Sequence, residues 1–316
     1  MSESRPVLVV NPRAGGGKAG QTFGAMRRTI ENALGPFEAV FTERAAHGIE
    51  LARDAVNGGA SLVIGVGGDG TFNEVVNGVL TAEPARREQV AVGIIGQGTG
   101  GDLLRVLGIE HRLDRYLAAI ASGRTRKVDV GHARYVKHDG TRGERYFVNI
   151  LSVGMGGLVD QYVANASRTF GGKATYFAAS LKALAHAKEG RLRTSLSWGG
   201  ETSEHRISSY MLAVCNGRYF GSGMKVAPMA EIDDGRFEVV SIGGASKFAF
   251  AMTSQRIYQG DHLGKPGVVH LPCDKIFLDL ENEDARSVFL IDLDGEPVGV
   301  LPLEIEVRPQ AITLRG

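Results

Sequence analysis

The sequence predicts an α/β protein of two domains, the first on a parallel sheet and the second mainly of antiparallel strands. Three observations predict it. Apolar strand-like runs alternate with helix-spaced segments through the first third of the chain. Two of those runs end in glycine loops, Gly65 to Thr71 and Gly96 to Asp102. Near Lys127 the pattern changes, and strand-like runs dominate from there. Alternation of the first kind implies a parallel sheet covered by helices.

The elements follow in order. Val7 to Val10 is a short apolar strand that stops at Asn11-Pro12. Phe37 to Phe41 is a second, and Leu51, Ala52, Ala55 and Val56 then have helical spacing. Leu62 to Val66 is a third strand, running into Gly67-Gly68-Asp69-Gly70. Phe72, Val75, Val76, Val79 and Leu80 recur at i, i+3, i+4, i+7 and i+8, the stripe of an amphipathic helix. Val90 to Ile95 is a fourth strand. Beyond Lys127 the candidate strands are Val128 to Tyr135, Tyr146 to Val153, Ser209 to Cys215, Phe237 to Ile242, Ile276 to Leu280, Val288 to Leu293 and Leu303 to Val307. Helical stretches interrupt them near Lys173 to Lys188 and Lys247 to Tyr258.

A chain of 316 residues is long enough for about two domains. With 43% hydrophobic and 22% charged residues it can build a sizeable core. A net charge of +1 argues against a nucleic-acid partner and against a polybasic membrane anchor. The opening MSESRPVLVV lacks the apolar stretch of a signal peptide. No run of about 18 apolar residues is present, so no bilayer-spanning helix is expected. The expected setting is cytoplasmic. Cys215 and Cys273 lie in or beside apolar runs and are expected as buried, reduced thiols. Without CxxC or HExxH, no structural zinc is expected.

The glycine loops carry the chemistry. Each follows a strand and opens a helix, so backbone N–H groups and a helix N-terminus favour phosphate oxygens there. In open α/β sheets such ligands bind beyond the carboxyl ends of the strands. A dinucleotide site keeps carboxylates out of its pyrophosphate loop. Here Asp69 and Asp102 sit within or beside the loops. A carboxylate facing a triphosphate is repulsive unless a hard cation lies between them, which points to Mg²⁺ and a nucleotide. Gly15-Gly16-Gly17-Lys18 is not a Walker loop, because Pro12 takes the first glycine position and Ala19 replaces the metal-binding hydroxyl. Phosphoryl transfer to an alcohol also needs a proton acceptor. Asp294-Gly295-Glu296, before Pro297, offers two carboxylates at a strand end; taken alone it reads first as an ordinary hairpin turn.

Together these residues resemble a known family. Gly67-Gly68-Asp69-Gly70-Thr71-Phe72-Asn73-Glu74-Val75-Val76-Asn77-Gly78 resembles the GGDGT-x-NEV-x-NG motif of the diacylglycerol kinase catalytic-domain family, which includes sphingosine and ceramide kinases. Asn11-Pro12 through Lys18, Thr42 with His47, Gly98-Thr99-Gly100-Gly101-Asp102, Asn216-Gly217, Pro228 with Asp233-Asp234-Gly235, and Asp294-Gly295-Glu296 look like its other motifs, in family order. The resemblance implies the NAD kinase/diacylglycerol kinase-like fold, with ATP in the cleft between a nucleotide-binding α/β domain (1–127) and a β-sandwich lipid domain (128–307), and with 308–316 returning to the first domain.

It further implies that Asn11, Thr42, Gly67, Gly68, Asp69, Gly70, Thr71, Asn73, Glu74, Gly98 and Thr99 hold the nucleotide. Asp69 would act through Mg²⁺, and Asp102 would position the acceptor end. Glu296, with Asp294 close by, would be the general base. A further Mg²⁺ would take Asp234 and the carbonyls of Glu231 and Arg236. The expected reaction moves the γ-phosphoryl group of ATP to a lipid alcohol, diacylglycerol first, at a membrane surface. Sphingoid bases, ceramide and phosphatidylglycerol are alternative acceptors. NAD kinase, a phosphofructokinase-like sugar kinase and a non-catalytic nucleotide sensor are rival readings, and pairing of second domains into a homodimer is a further expectation. Three residues depart from the family: Gly101 and Leu103 stand where Asn and Phe are common, and Arg236 where an apolar residue is usual.

Overall fold

The structure is a computed structural model that describes residues 5–98, 100–165, 179–180, 182–243 and 246–316. The chain divides into two compact units, Met1–Asp129 with Pro309–Gly316, and Val130–Arg308.

In the first unit, β1 (Val7–Val10), β2 (Glu38–Phe41), β3 (Leu62–Gly67) and β4 (Ala91–Gly96) form a parallel sheet in the order β2-β1-β3-β4. Every residue of β1 and β3 is buried, as in strands covered on both faces. The covering helices include α1 (Lys18–Leu34), α2 (His47–Asn57), α3 (Asp69–Leu80), the short α4 (Pro84–Arg87) and α5 (Asp102–Val106), and α6 (Leu113–Ala121). Helix α1 presents Ala19, Phe23 and Ile30 to the core, and α6 presents Tyr116, Leu117 and Ile120. All ten residues of α3 from Thr71 to Leu80 are buried. Strand order reverses between β1 and β3, because β2 lies on the far side of β1.

In the second unit, β7 (Ile150–Gly154), β10 (Met211–Cys215), β11 (Phe237–Ile242), β12 (Val268–Cys273) and β14 (Leu290–Leu293) run antiparallel, in the order β12-β11-β10-β7-β14. A second layer pairs β9 (Glu201–Ser209) with β8 (Gly190–Trp198), β8 with β13 (Lys275–Leu280), and β13 with the middle of β15 (Glu296–Arg315). The start of β15 pairs with β14, and its last residues pair in parallel with β4 of the first unit's sheet. The sandwich core lies between the layers: Leu151, Leu212, Val214, Phe237 and Val239 face Leu192, Leu196, Ile276, Leu278, Leu303 and Ile305. The other face of the first layer, with Ile150, Ala213, Cys215 and Val240, packs on Phe250 and Ile257 of α7 (Lys247–Ile257).

Two expected strands break. The run from Tyr146 to Val153 is two strands, β6 (Arg142–Phe147) and β7. β6 pairs with β5 (Thr125–Val136), whereas β7 pairs with β10 and β14, and the N–H groups at the break turn to a side chain. The run from Ser209 to Cys215 breaks at Tyr210, whose N–H reaches Ile242 O at 3.0 Å. Of the helix expected near Lys173 to Lys188, 173–178 and 181 lie outside the described residues, while 179–180 and 182–186 are helical. Among the described residues, no helix is long and apolar enough to cross a membrane.

Candidate functional site

Three loops meet at the carboxyl ends of β1, β3 and β4. The N–H of Asn11 reaches Val66 O at 3.0 Å, and its amide Nδ2 donates to Thr71 Oγ1 at 3.1 Å. That second bond joins the end of β1 to the first turn of α3, across the point of strand-order reversal, where open α/β sheets bind ligands. The N–H of Gln97 donates to Gly67 O at 2.7 Å and ties the second glycine loop to the first. The backbones approach too closely for side chains. A Cβ on Gly67 would stand 2.3 Å from Thr71 Oγ1, and one on Gly98 2.8 Å from Gly68 Cα. Gly15, Gly16 and Gly17 all take positive φ, and Gly15 lies against the backbone of Gln97. Lys18, at the start of α1, is exposed.

Asp69 opens α3 behind Gly68, so its carboxylate lies at the positive end of that helix. Its Oδ2 accepts the N–H of Asp102 at 3.3 Å, and a Cβ on Gly100 would come within 3.1 Å of the same oxygen. The carboxylate therefore lies where the two glycine loops touch. Asp102 is buried, and its Oδ1 pairs with Arg105 Nη1 at 2.6 Å. Arg105 also holds Gly100 O at 2.9 Å. This arrangement clamps the loop that Asp102 follows.

Thr42 is buried, and its N–H extends the β1–β2 pairing to Val10 O at 2.9 Å. Glu74 turns to α2, where its two oxygens accept the N–H groups of Ala46 and Gly48, each at 2.8 Å. Asn73 is buried, and its Oδ1 accepts Asn77 Nδ2 at 3.1 Å. Thr99 lies outside the described residues.

A support that no motif pointed to lies under the second loop. His111 Nε2 is 3.0 Å from Gly98 O, and its Nδ1 is hydrogen-bonded to the hydroxyl of Tyr116. A carbonyl can only accept, so Nε2 carries the proton and Nδ1 accepts from the phenol. Burial, with Asp69 nearby, pushes the Tyr116 hydroxyl up to about 12, so it remains a donor through neutral pH.

In the second unit, Asp294 and Gly295 form the two-residue turn between β14 and β15, with φ of +49° and +89°. Positive φ at both positions is the mark of a type I′ hairpin. The Asp294 carboxylate accepts N–H from Val148 at 2.9 Å, Asn149 at 3.1 Å and Ile150 at 2.9 Å. Three backbone donors make it a fastener between β14 and the β6–β7 break rather than a proton acceptor. Glu296 has its side chain 39% exposed, and Oε2 pairs with Arg145 Nη1 at 2.8 Å. Arg145 lies 151 residues away in sequence, and nothing in the sequence marks it. Beside the hairpin, burial pushes the Tyr135 hydroxyl up, while Arg145 pulls it down and Glu296 raises it.

The third cluster is the turn at residues 231–236. Asp234 Oδ2 accepts Arg236 Nε at 2.9 Å, and Glu231 lies 4.0 Å from Arg218. Among the described residues, no three or more His, Cys, Asp or Glu side chains gather to hold a metal ion.

Comparison with known proteins gives this geometry a context. Residues 5–133 match the Diacylglycerol kinase catalytic domain, and residues 149–316 match the YegS C-terminal NAD kinase beta sandwich-like domain. The protein of Chromohalobacter salexigens named probable lipid kinase YegS-like is 31% identical over 269 residues, 84% of this chain and 79% of that protein. The Diacylglycerol kinase of Bacillus subtilis is 24% identical, over 88% of this chain and 87% of its own. The crystal structure of a diacylglycerol kinase from Bacillus anthracis superposes with a TM-score of 0.69 at 20% identity, covering 100% of this chain and 97% of that one. A yeast NADH kinase shares the fold at a TM-score of 0.53 and 13% identity, over 99% and 83% of the two chains.

Proposed function

The chain belongs to the family of lipid kinases that join a Diacylglycerol kinase catalytic domain to a YegS C-terminal domain, and from that premise we propose that its acceptor is diacylglycerol and its product phosphatidic acid. The observation that carries the reading is the contact of the two glycine loops at the Asp69 carboxylate. Loops that touch can present their N–H groups to one triphosphate. A carboxylate fixed among them fits the company of a hard cation.

In the proposed mechanism, the loops at 67–71 and 97–102 hold the phosphate oxygens of ATP. Asp69 would hold Mg²⁺, which when bound supplies positive charge to the triphosphate. Glu296 accepts the proton of the lipid hydroxyl as that oxygen attacks the γ-phosphorus, and ADP leaves. Arg145 holds the Glu296 carboxylate in one orientation. Asp102, with Arg105, keeps the second loop in place. The proposed site of action is the cytoplasmic face of a membrane, approached from water.

The test is incubation of the purified protein with Mg²⁺ and γ-labelled ATP over diacylglycerol, ceramide, a sphingoid base, phosphatidylglycerol, NAD and fructose 6-phosphate. Label in phosphatidic acid is the expected outcome. Label in another lipid would overturn the acceptor, and label in NADP would overturn the lipid reading.

A further inference from the structure

The family resemblance leads one to expect Mg²⁺ at Asp234, completed by the carbonyls of Glu231 and Arg236. The side chains at this turn do not fit that ion, because the carboxylate already has a cation. Arg236 Nε donates to Asp234 Oδ2 at 2.9 Å, and the Arg236 N–H reaches Asp234 Oδ1 at 3.3 Å. One residue thus occupies both carboxylate oxygens.

The guanidinium is fixed from its other side as well. Its Nη2 lies 3.1 Å from Glu238 Oε1, and its carbon sits 5.8 Å from the centre of the Trp198 ring. The Glu238 side chain is only 3% exposed, and its other oxygen meets His270 Nε2 at 2.5 Å. A buried carboxylate deprived of its cation is strongly disfavoured. Arg236 therefore cannot swing away from Asp234 without loosening its hold on Glu238, whose other oxygen stays with His270. A divalent ion would have to displace Nε and remain beside a fixed positive charge. An apolar side chain at position 236 would leave the Asp234 carboxylate open to an outside cation.

We infer that Arg236 replaces a divalent cation in this chain: its guanidinium, shared by Asp234 and Glu238 and packed on Trp198, does for the turn at 231–236 what Mg²⁺ would otherwise do. The turn is then held in place without metal. The inference concerns the second unit alone and stands whichever alcohol is phosphorylated.

The test is Mn²⁺ binding by electron paramagnetic resonance without nucleotide, in an Asp69→Ala background that removes the other candidate ligand. The starting protein is expected to show no stoichiometric site. Adding Arg236→Leu is expected to create one site per chain, and adding Asp234→Asn to that variant to abolish it. A site in the starting protein that disappears with Asp234→Asn would overturn the inference. So would a folded Arg236→Leu variant, by circular dichroism, that gains no site. Should Arg236→Leu fail to fold, thermal unfolding of the unaltered chain decides: the same midpoint in EDTA and in millimolar Mg²⁺ is expected, and an Mg²⁺-dependent rise lost in Asp234→Asn would overturn it.

Discussion

Asp294 and Glu296 stand two residues apart, yet their surroundings give them different work. Asp294 sits in left-handed backbone and spends its oxygens on three N–H groups of the β6–β7 break. Removing it leaves buried donors unsatisfied, at about 1–3 kcal/mol each. Asp294→Ala is therefore expected to lower stability by at least about 2 kcal/mol in urea unfolding. Asp294→Asn, which keeps an acceptor and tolerates positive φ, should lose less. Glu296 is half-exposed and held by one arginine. Glu296→Gln is expected to cut kcat by about 10²–10⁴-fold with ATP binding unchanged by calorimetry. A variant with full turnover would remove Glu296 from the mechanism. Gly101 has a residue-scale reason too. Its φ of +64° lies in the region that glycine enters freely and asparagine tolerates best among the other residues, so the exchange between them keeps the loop's path.

At the scale of elements, α3 shows how one motif serves two ends. Its first turn belongs to the loops, through Asp69 and Thr71. Its later residues fasten α2: Glu74 takes the N–H groups of Ala46 and Gly48, and Gly78 lies against that helix. A Cβ on Gly78 would stand 2.5 Å from Ile49 O and 2.6 Å from Ala52 Cβ. Gly78→Leu must push the two helices apart, and overpacking of this kind costs about 1–3 kcal/mol. A drop of that order in urea unfolding is expected, with a raised KM for ATP, because α2 begins beside the Thr42 to His47 segment. The broken strands belong to this scale as well. Tyr146 to Val153 reads as one apolar run, but only the approach of Asp294 from β14 supplies partners for the N–H groups at its centre.

At the scale of the whole molecule, the cores report on global unfolding. Cys215 and Cys273 are free and fully buried, and burial pushes both thiols up. A group raised in this way stays protonated and unreactive in the native state at neutral pH. Native protein is expected to leave Ellman's reagent unreduced, and guanidinium-unfolded protein to react with two thiols per chain. Reaction of either thiol at native rates above global unfolding would show local opening of β10 or β12.

The parallel and antiparallel halves were legible because buried parallel strands are continuous apolar runs and helices repeat at 3.6 residues. The glycine loops were legible because close backbone approach admits no other residue. Strands such as β8, Gly190–Trp198, were not, since its exposed positions carry Arg191 and Arg193, its half-buried ones Ser195 and Ser197, and its buried ones include Thr194. The sequence by itself determined the fold class and the family, through short-range spacing that any reader of the chain can see. Only tertiary structure decided which carboxylates are partnered by Arg105, Arg145 and Arg236, which by backbone N–H groups, and that His111 and Tyr116 support Gly98. Such partners are chosen by position in space, and a side chain's chemistry depends on the charges folded against it.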